Sequence, residues 1–181
     1  PDILCLGFQT MSHYVLVHDT SPGFAFTMFG PFPHVSPGLW GAFGYHVADI
    51  NGDESLDIAT ANFSSNDVSL LLGNGDGSFR WEPRFGVGGS PQSVVACDLN
   101  HDGILDLATA NSNTNDISVL VGRGNGRYAP EARYPAAERP IAIQCADLKE
   151  DGNPDLVVAN QSSSEVSLYF GLGDGTFLAK P

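Results

Sequence analysis

An all-β architecture of about four small repeated sheets is what this sequence predicts, and three observations carry the prediction. Residues 56–62, 105–111 and 154–160 read LDIATAN, LDLATAN and PDLVVAN, and Asp49, Asp98 and Asp147 share the same 49-residue step. Helical periodicity is absent, and short apolar or alternating runs are separated by turns rich in Asn, Asp and Gly. Each unit passes from an apolar strand to a charged, proline-bearing one. That order is the pattern of a β-propeller blade of four antiparallel strands, apolar at its inner strand and polar at its outer one.

In chain order, residues 1–44 read as an irregular partial blade. The stretch 1–7 (PDILCLG) aligns with 154–160, and 13–24 (HYVLVHDTSPGF) aligns without a gap on 166–177 (VSLYFGLGDGTF). The chain therefore starts on the second strand of a blade, and this first blade lacks its inner strand. Asp2 to Asp57 is 55 residues rather than 49, and the surplus falls in the Gly/Pro/aromatic stretch 27–44. Residues 45–90, 91–139 and 140–181 are three complete blades. In the middle one, 93–99 (SVVACDL) has the composition of a strand buried on both faces. After an acidic loop come ILDLATAN and DISVLVG, then a Gly-Asn-Gly hairpin turn. The outer strand 127–135 (RYAPEARYP) carries the charges and prolines that an exposed edge tolerates. Propellers close with about four to eight blades, so the chain reads as a segment of a larger propeller or array within one repeat domain, 1–181.

Composition narrows the function. Net charge is −13, with only eight Lys and Arg among 181 residues. Nucleic acid and anionic membrane surfaces, which demand basic side chains, are excluded on that ground. No apolar run approaches the roughly 18 residues of a membrane span, so membrane insertion is not expected. Pro1 follows no basic and apolar leader, so a signal peptide is either absent or already removed. Cys5, Cys97 and Cys145 make no even framework and no CxxC pair. Cys97 and Cys145 differ in parity relative to their loops and would face opposite sides of a strand. The leading expectation is three small buried apolar residues, with a disulfide as the other reading.

The chemistry concentrates in the acidic loops. DLNHDGILD (98–106) offers side-chain oxygens from Asp98, Asn100, Asp102 and Asp106, a backbone carbonyl from Ile104, and a glycine for the sharp turn. An EF-hand loop draws its ligands from the same positions, and an oxygen-only, carboxylate-rich set suits Ca2+. A solvated Asp/Asn/Gly turn is the competing explanation; threefold recurrence at one step argues against it. DINGDESLD (49–57) repeats the set with Asp49, Asn51, Asp53, the Ser55 carbonyl and Asp57, but places Glu54 at the turn position. A positive φ there would strain it. DLKEDGNPD (147–155) keeps Asp147, Asp151, the Asn153 carbonyl and Asp155. Lys149 stands at its third position, removing an oxygen and bringing a charge that neutralises the aspartates. Expected occupancy runs second loop, first loop, third loop.

These residues resemble the FG-GAP/VCBS repeats of integrin-alpha-type β-propellers: D-x-N-x-D-G-x-x-D, then A-x-A-N, then G-N-G-D-G-x-F, with FG at 85–86. The resemblance covers nearly the whole chain. It implies blades set round an axis, with Ca2+ in the loops between first and second strands, and a module of extracellular adhesion, ligand binding or scaffolding. Glu54, Lys149 and the irregular first blade depart from the pattern.

Other residues read as structural. The five histidines fall singly, no serine lies in a GxSxG context, and GLGDGTF is followed by no helix to hold a pyrophosphate. Trp40, Trp81 and Tyr134 are assigned to packing between blades rather than sugar stacking. Asn62 and Asn160 begin N-glycosylation sequons at equivalent repeat positions. The expectation is a non-catalytic, calcium-stabilised module at the cell exterior or surface, with a protein or glycan ligand and self-assembly with neighbouring segments. The alternative is a lectin-like or targeting module of a secreted carbohydrate-active enzyme.

Overall fold

The structure, a computed structural model, describes residues 3–6, 14–18, 26–28, 42–81 and 84–180. Every regular element among them is a strand. The first sheet is three-stranded: β1 (Ile3–Leu6), β2 (Tyr14–His18) and β3 (Phe26–Met28), in that order. Its inner strand is absent among the described residues, as the sequence predicts. Ile3 pairs with Val17, one residue later than the gapless alignment with 166–177 requires. Asp2, Trp40 and the stretch 29–41 lie outside the described residues, as do the side chains of Cys5 and Trp81.

The second sheet runs β4 (Ala42–Ala48), β5 (Asp57–Asn62), β6 (Asp67–Gly73) and β7 (Phe79–Trp81). Here the outer strand is broken. β8 (Phe85–Gly86) continues it by pairing Phe85 with Val68, so the FG dipeptide completes the outer edge. The third sheet orders β9 (Pro91–Cys97), β10 (Asp106–Asn111), β11 (Asp116–Leu120) and β12 (Ala132–Pro135) from one edge to the other. The fourth does the same with β13 (Pro140–Ala146), β14 (Asp155–Asn160), β15 (Glu165–Gly171) and β16 (Phe177–Lys180).

All pairings are antiparallel, and the three complete sheets share one register. Ala59 opposite Leu70, Ala108 opposite Val119 and Val157 opposite Leu168 are the same pair at successive repeats. Small residues on the second strand leave room for the large ones of the third, which is how adjacent sheets approach closely. Two apolar cores result. One joins Ala59, Ala61, Val68 and Leu70 of the second sheet to Val94, Leu107 and Leu120 of the third. The other joins Ala108, Ala110, Ile117 and Val119 of the third to Ile143, Leu156 and Tyr169 of the fourth. The third blade thus has one face toward the blade before it and one toward the blade after it.

Burial departs from expectation at the inner strands. β10 and β11 are buried throughout, whereas β9 is buried only at Pro91, Val94 and Val95. The inner strand is a sheet edge, so only the flanks of its blade cover it; the central strands are covered on both faces and both edges.

The cysteine expectation is corrected. Cys97 and Cys145 form a disulfide between β9 and β13, with Cα atoms 6.6 Å apart. The reason lies in how repeats meet. Residues that touch across a blade interface come from opposite faces of their strands, so they differ in parity. The parity that seemed to separate these cysteines is what brings them together.

Candidate metal centre

Each acidic loop joins the inner strand of a blade to its second strand: 49–57 between β4 and β5, 98–106 between β9 and β10, 147–155 between β13 and β14. The loops are wound by their own side chains. In 98–106, Asp98 accepts the amides of Asp102 and Gly103 at 3.2 and 3.0 Å, and Asp102 accepts that of Ile104 at 2.8 Å. The Asn100 side chain accepts from Asp102 N and donates to the Asp102 carboxylate at 3.0 Å. Loop 49–57 reproduces this: Asp49 accepts from Asp53 and Glu54, Asp53 accepts from Ser55, and Asn51 bridges to Asp53. Short polar side chains that accept nearby backbone amides stabilise such turns without a partner from elsewhere.

The strain expected at Glu54 is present, with φ at +68°, but it has a counterpart. Each loop places its fourth and sixth residues in the left-handed region: Gly52 and Glu54, His101 and Gly103, Glu150 and Gly152. Every loop therefore has one glycine and one strained residue. The first loop has moved its glycine from the sixth position to the fourth, and Glu54 gives no reason to rank it below the second.

The third loop differs in charge. Lys149 Nζ lies 2.6 Å from the Asp151 carboxylate, and 5.4 Å over the Phe170 ring. Its ammonium takes the place of the Asn amide that donates to the fifth-position aspartate in the other loops. The hydrogen bond to Lys149 is the main influence holding Asp151 below the usual carboxylate range, and Asp151 raises Lys149 in return. Asp53 is likewise lowered, chiefly by its bond from Asn51.

The last aspartate of each loop is a joint. Asp57, Asp106 and Asp155 have no exposed surface. Asp106 accepts Leu99 N at 2.8 Å with one oxygen and Gly122 N at 2.7 Å with the other. Asp57 accepts from Ile50 and Gly73, and Asp155 from Leu148 and Gly171, in the same way. One carboxylate thereby ties the start of the loop to the end of the third strand. Burial raises the pKa of Asp57 and Asp106, against the lowering effect of those amides. The folded chain holds these two protons more tightly than the unfolded one, so their contribution to folding is full below the ordinary carboxylate range and is lost as pH rises through the raised values.

Three glycines that the sequence reading did not single out belong to this joint. A Cβ on Gly122 would lie 2.7 Å from both Ile104 Cγ2 and the Leu105 carbonyl oxygen. On Gly73 and Gly171 it would meet the carbonyls of Leu56 and Pro154 at 2.3 and 2.2 Å. The loop's eighth residue packs directly on the strand end, and only glycine permits it. Recurrence at 49 residues was the available signal.

The donor set fits a hard cation: every candidate ligand is an oxygen, and the buried Asp57 and Asp106 have amide donors but no cationic side chain as hydrogen-bond partner. Among the described residues no group of three or more His, Cys, Asp or Glu side chains is gathered as a metal-holding cluster. The carboxylates instead turn toward backbone amides.

The sequons point inward. Asn62 and Asn160 are 6% and 3% exposed, and their Nδ2 atoms donate to the hydroxyls of Ser69 and Ser167 at 2.7 and 2.9 Å. Asn111 makes the same bond to Ser118. The atom a glycan would attach to is engaged inside the sheet. His101 bonds Asn153 of the next loop at 3.1 Å, and Tyr134 packs edge-on against Tyr169 and Phe177 across the interface between blades. Among the described residues no helix is long and apolar enough to cross a membrane.

Comparisons with known proteins agree with this architecture. The chain is similar in structure to a functionally unknown protein from Desulfotomaculum acetoxidans, with a TM-score of 0.73 at 18% identity, covering 99% of this chain and 51% of that one. It is also similar to a lectin from Agrocybe aegerita described as recognising non-reducing terminal N-acetylglucosamine, with a TM-score of 0.59 at 20% identity. That likeness covers 93% of this chain and 46% of the lectin, so the chain spans about half the length of either structure. No curated protein matches the sequence. The FG-GAP-like repeat profile matches residues 49–109 and 98–158, more than half of the chain, in phase with the blades described above. With its acidic loops, buried joints and 49-residue step, the chain belongs to the FG-GAP-like repeat family.

Proposed function

We propose that the chain is a non-catalytic recognition module, stabilised by calcium and working outside the cell. The observation that carries the reading is the recurring loop: oxygen-only donors, wound in place, each ending in a buried carboxylate that joins two strands. Asp98, Asn100, Asp102, the Ile104 carbonyl and Asp106 would hold one ion, and Asp49, Asn51, Asp53, the Ser55 carbonyl and Asp57 another. A bound Ca2+ supplies positive charge among carboxylates that otherwise repel, and so favours the folded state by mass action. The Cys97–Cys145 disulfide supports an oxidising, extracellular setting. A glycan is the ligand class favoured by the likeness to the Agrocybe aegerita lectin; a protein ligand suits the adhesion reading.

Screening the calcium-loaded chain against immobilised glycans, and in parallel against extracellular proteins, tests this. Binding that disappears in EDTA is the expected result. Binding unchanged in EDTA, or chemical turnover of what is bound, contradicts it. The third loop gives a sharper check on the ligand set. Lys149→Asn restores the missing amide oxygen and removes the ammonium paired with Asp151. Calorimetric titration of this variant is expected to register one more calcium site than the parent chain.

A further inference from the structure

We propose that the Cys97–Cys145 disulfide is a clamp that sets the calcium affinity of loop 98–106, through the contacts it holds between that loop and the fourth blade. The inference rests on the calcium reading of the loop and names what positions its ligands. Cys97 is the residue immediately before Asp98, the first donor of the loop, and Cys145 lies on β13, outside it. Beside the disulfide the fourth blade meets the loop at three further points. Leu99 O accepts Gly175 N at 3.2 Å. His101 Nε2 lies 3.1 Å from the side-chain oxygen of Asn153. A Cβ on Gly175 would lie 3.6 Å from the Asn100 Cβ, so the β15–β16 hairpin rests against a donor residue. Positions 97, 99, 100 and 101 are thereby held from the neighbouring blade, at the end of the loop where Asp98 and Asn100 stand.

Loop 49–57 offers the same donors without the clamp. The strand registers put Ala48 at the place of Cys97 and Ala96 at the place of Cys145, so no disulfide joins the second and third blades there. Gly52 stands where His101 does, with no side chain to reach across, and Ile104 stands where Asn153 does. The two loops therefore differ in their anchoring rather than in their donors. Fixing a loop before the ion arrives removes part of the ordering cost of binding. Glu54 does not rank the two loops; the clamp does, with 98–106 the tighter. Both cysteines are only partly buried, so a small dithiol reaches the bond. The thiolate of the dithiol attacks one sulfur and releases the other cysteine as a thiolate. Its second thiol then closes the reagent to a cyclic disulfide and leaves two protein thiols. By linkage, whatever the clamp adds to calcium binding, calcium adds to the clamp.

Two backgrounds separate the loops: Asp53→Ala leaves 98–106 as the reporting site, and Asp102→Ala leaves 49–57. Cys145→Ser, which alters no residue of either loop, is added to each, and calcium is titrated by calorimetry well below the melting temperature. The Kd of 98–106 is expected to rise about fivefold or more, and that of 49–57 to change by less than about twofold. The reciprocal effect is read from the rate at which dithiothreitol reduces the disulfide, followed by thiol labelling and mass spectrometry. Calcium is expected to slow reduction in the parent and in Asp53→Ala, but not in Asp102→Ala. An equal loss of affinity at both loops, no loss at 98–106, or equal protection in the two backgrounds overturns the proposal. The reduction rates need no substituted cysteine, so they decide the matter even if Cys145→Ser fails to fold. A parent that takes up no calcium overturns the calcium reading and the clamp together. A parent that fills both loops but fails these comparisons overturns the clamp alone.

Discussion

Replacing Asp106 by alanine is expected to lower the melting temperature of the calcium-free chain by about 10 °C. The side chain has no exposed surface and accepts Leu99 N and Gly122 N, at 2.8 and 2.7 Å, with its two oxygens. Hydrogen bonds to a charged acceptor contribute about 1.5–3 kcal/mol each, and here truncation leaves two buried donors unpaired. A loss of about 3–5 kcal/mol follows, and a domain of this size shifts roughly 2–4 °C per kcal/mol. Asp106→Asn keeps one acceptor but turns an amide N–H toward the other donor, so it should fall between parent and alanine variant. Asp102→Ala, on the exposed part of the same loop, is expected to stay within about 1 kcal/mol of the parent. Calorimetry in EDTA compares the three. If Asp106→Ala and Asp102→Ala melt together, the buried carboxylate is not the joint described here.

Reduction of the Cys97–Cys145 disulfide is the other large effect. The bond closes a loop with a sequence separation of 48 residues. The chain-entropy model assigns such a loop about 4 kcal/mol, hence a Tm lower by about 8–16 °C. Its placement adds a local consequence, because β9 and β13 are the inner strands of neighbouring blades and are only partly buried. Cys97→Ser should reproduce the loss in the absence of reductant. Mass spectrometry of the unfolded, unreduced chain should detect one free thiol; three would refute the disulfide outright.

The strand order and blade count were legible because both follow from local pattern and spacing. Alternation located strands, glycine pairs located hairpins, and the 49-residue step placed Asp57, Asp106 and Asp155 at equivalent positions. What escaped notice depends on how one repeat meets the next, which a single repeat does not encode. Parity rules derived within one strand separated Cys97 from Cys145, although blade interfaces join opposite faces. Asn62 and Asn160 match a sequon whatever their surroundings, and only the sheet reveals that Ser69 and Ser167 hold their amides inside. Gly73, Gly122 and Gly171 carry no local signal, because the loop that packs on them lies about 16 residues earlier in the chain. Glu54 departs from the glycine pattern of the sixth position, and Gly52 occupies the other left-handed position of the same loop.

We propose that the first two acidic loops are calcium sites that stabilise the blades. Calorimetric titration of CaCl2 into chelator-stripped protein, with Tm followed in parallel, tests it most directly. Two sites are predicted, both removed with their share of the Tm gain when Asp53 and Asp102 are replaced by alanine together, while the Lys149-bearing loop stays silent. A chain that takes up no calcium and whose melting temperature is the same in CaCl2 and EDTA would contradict the claim.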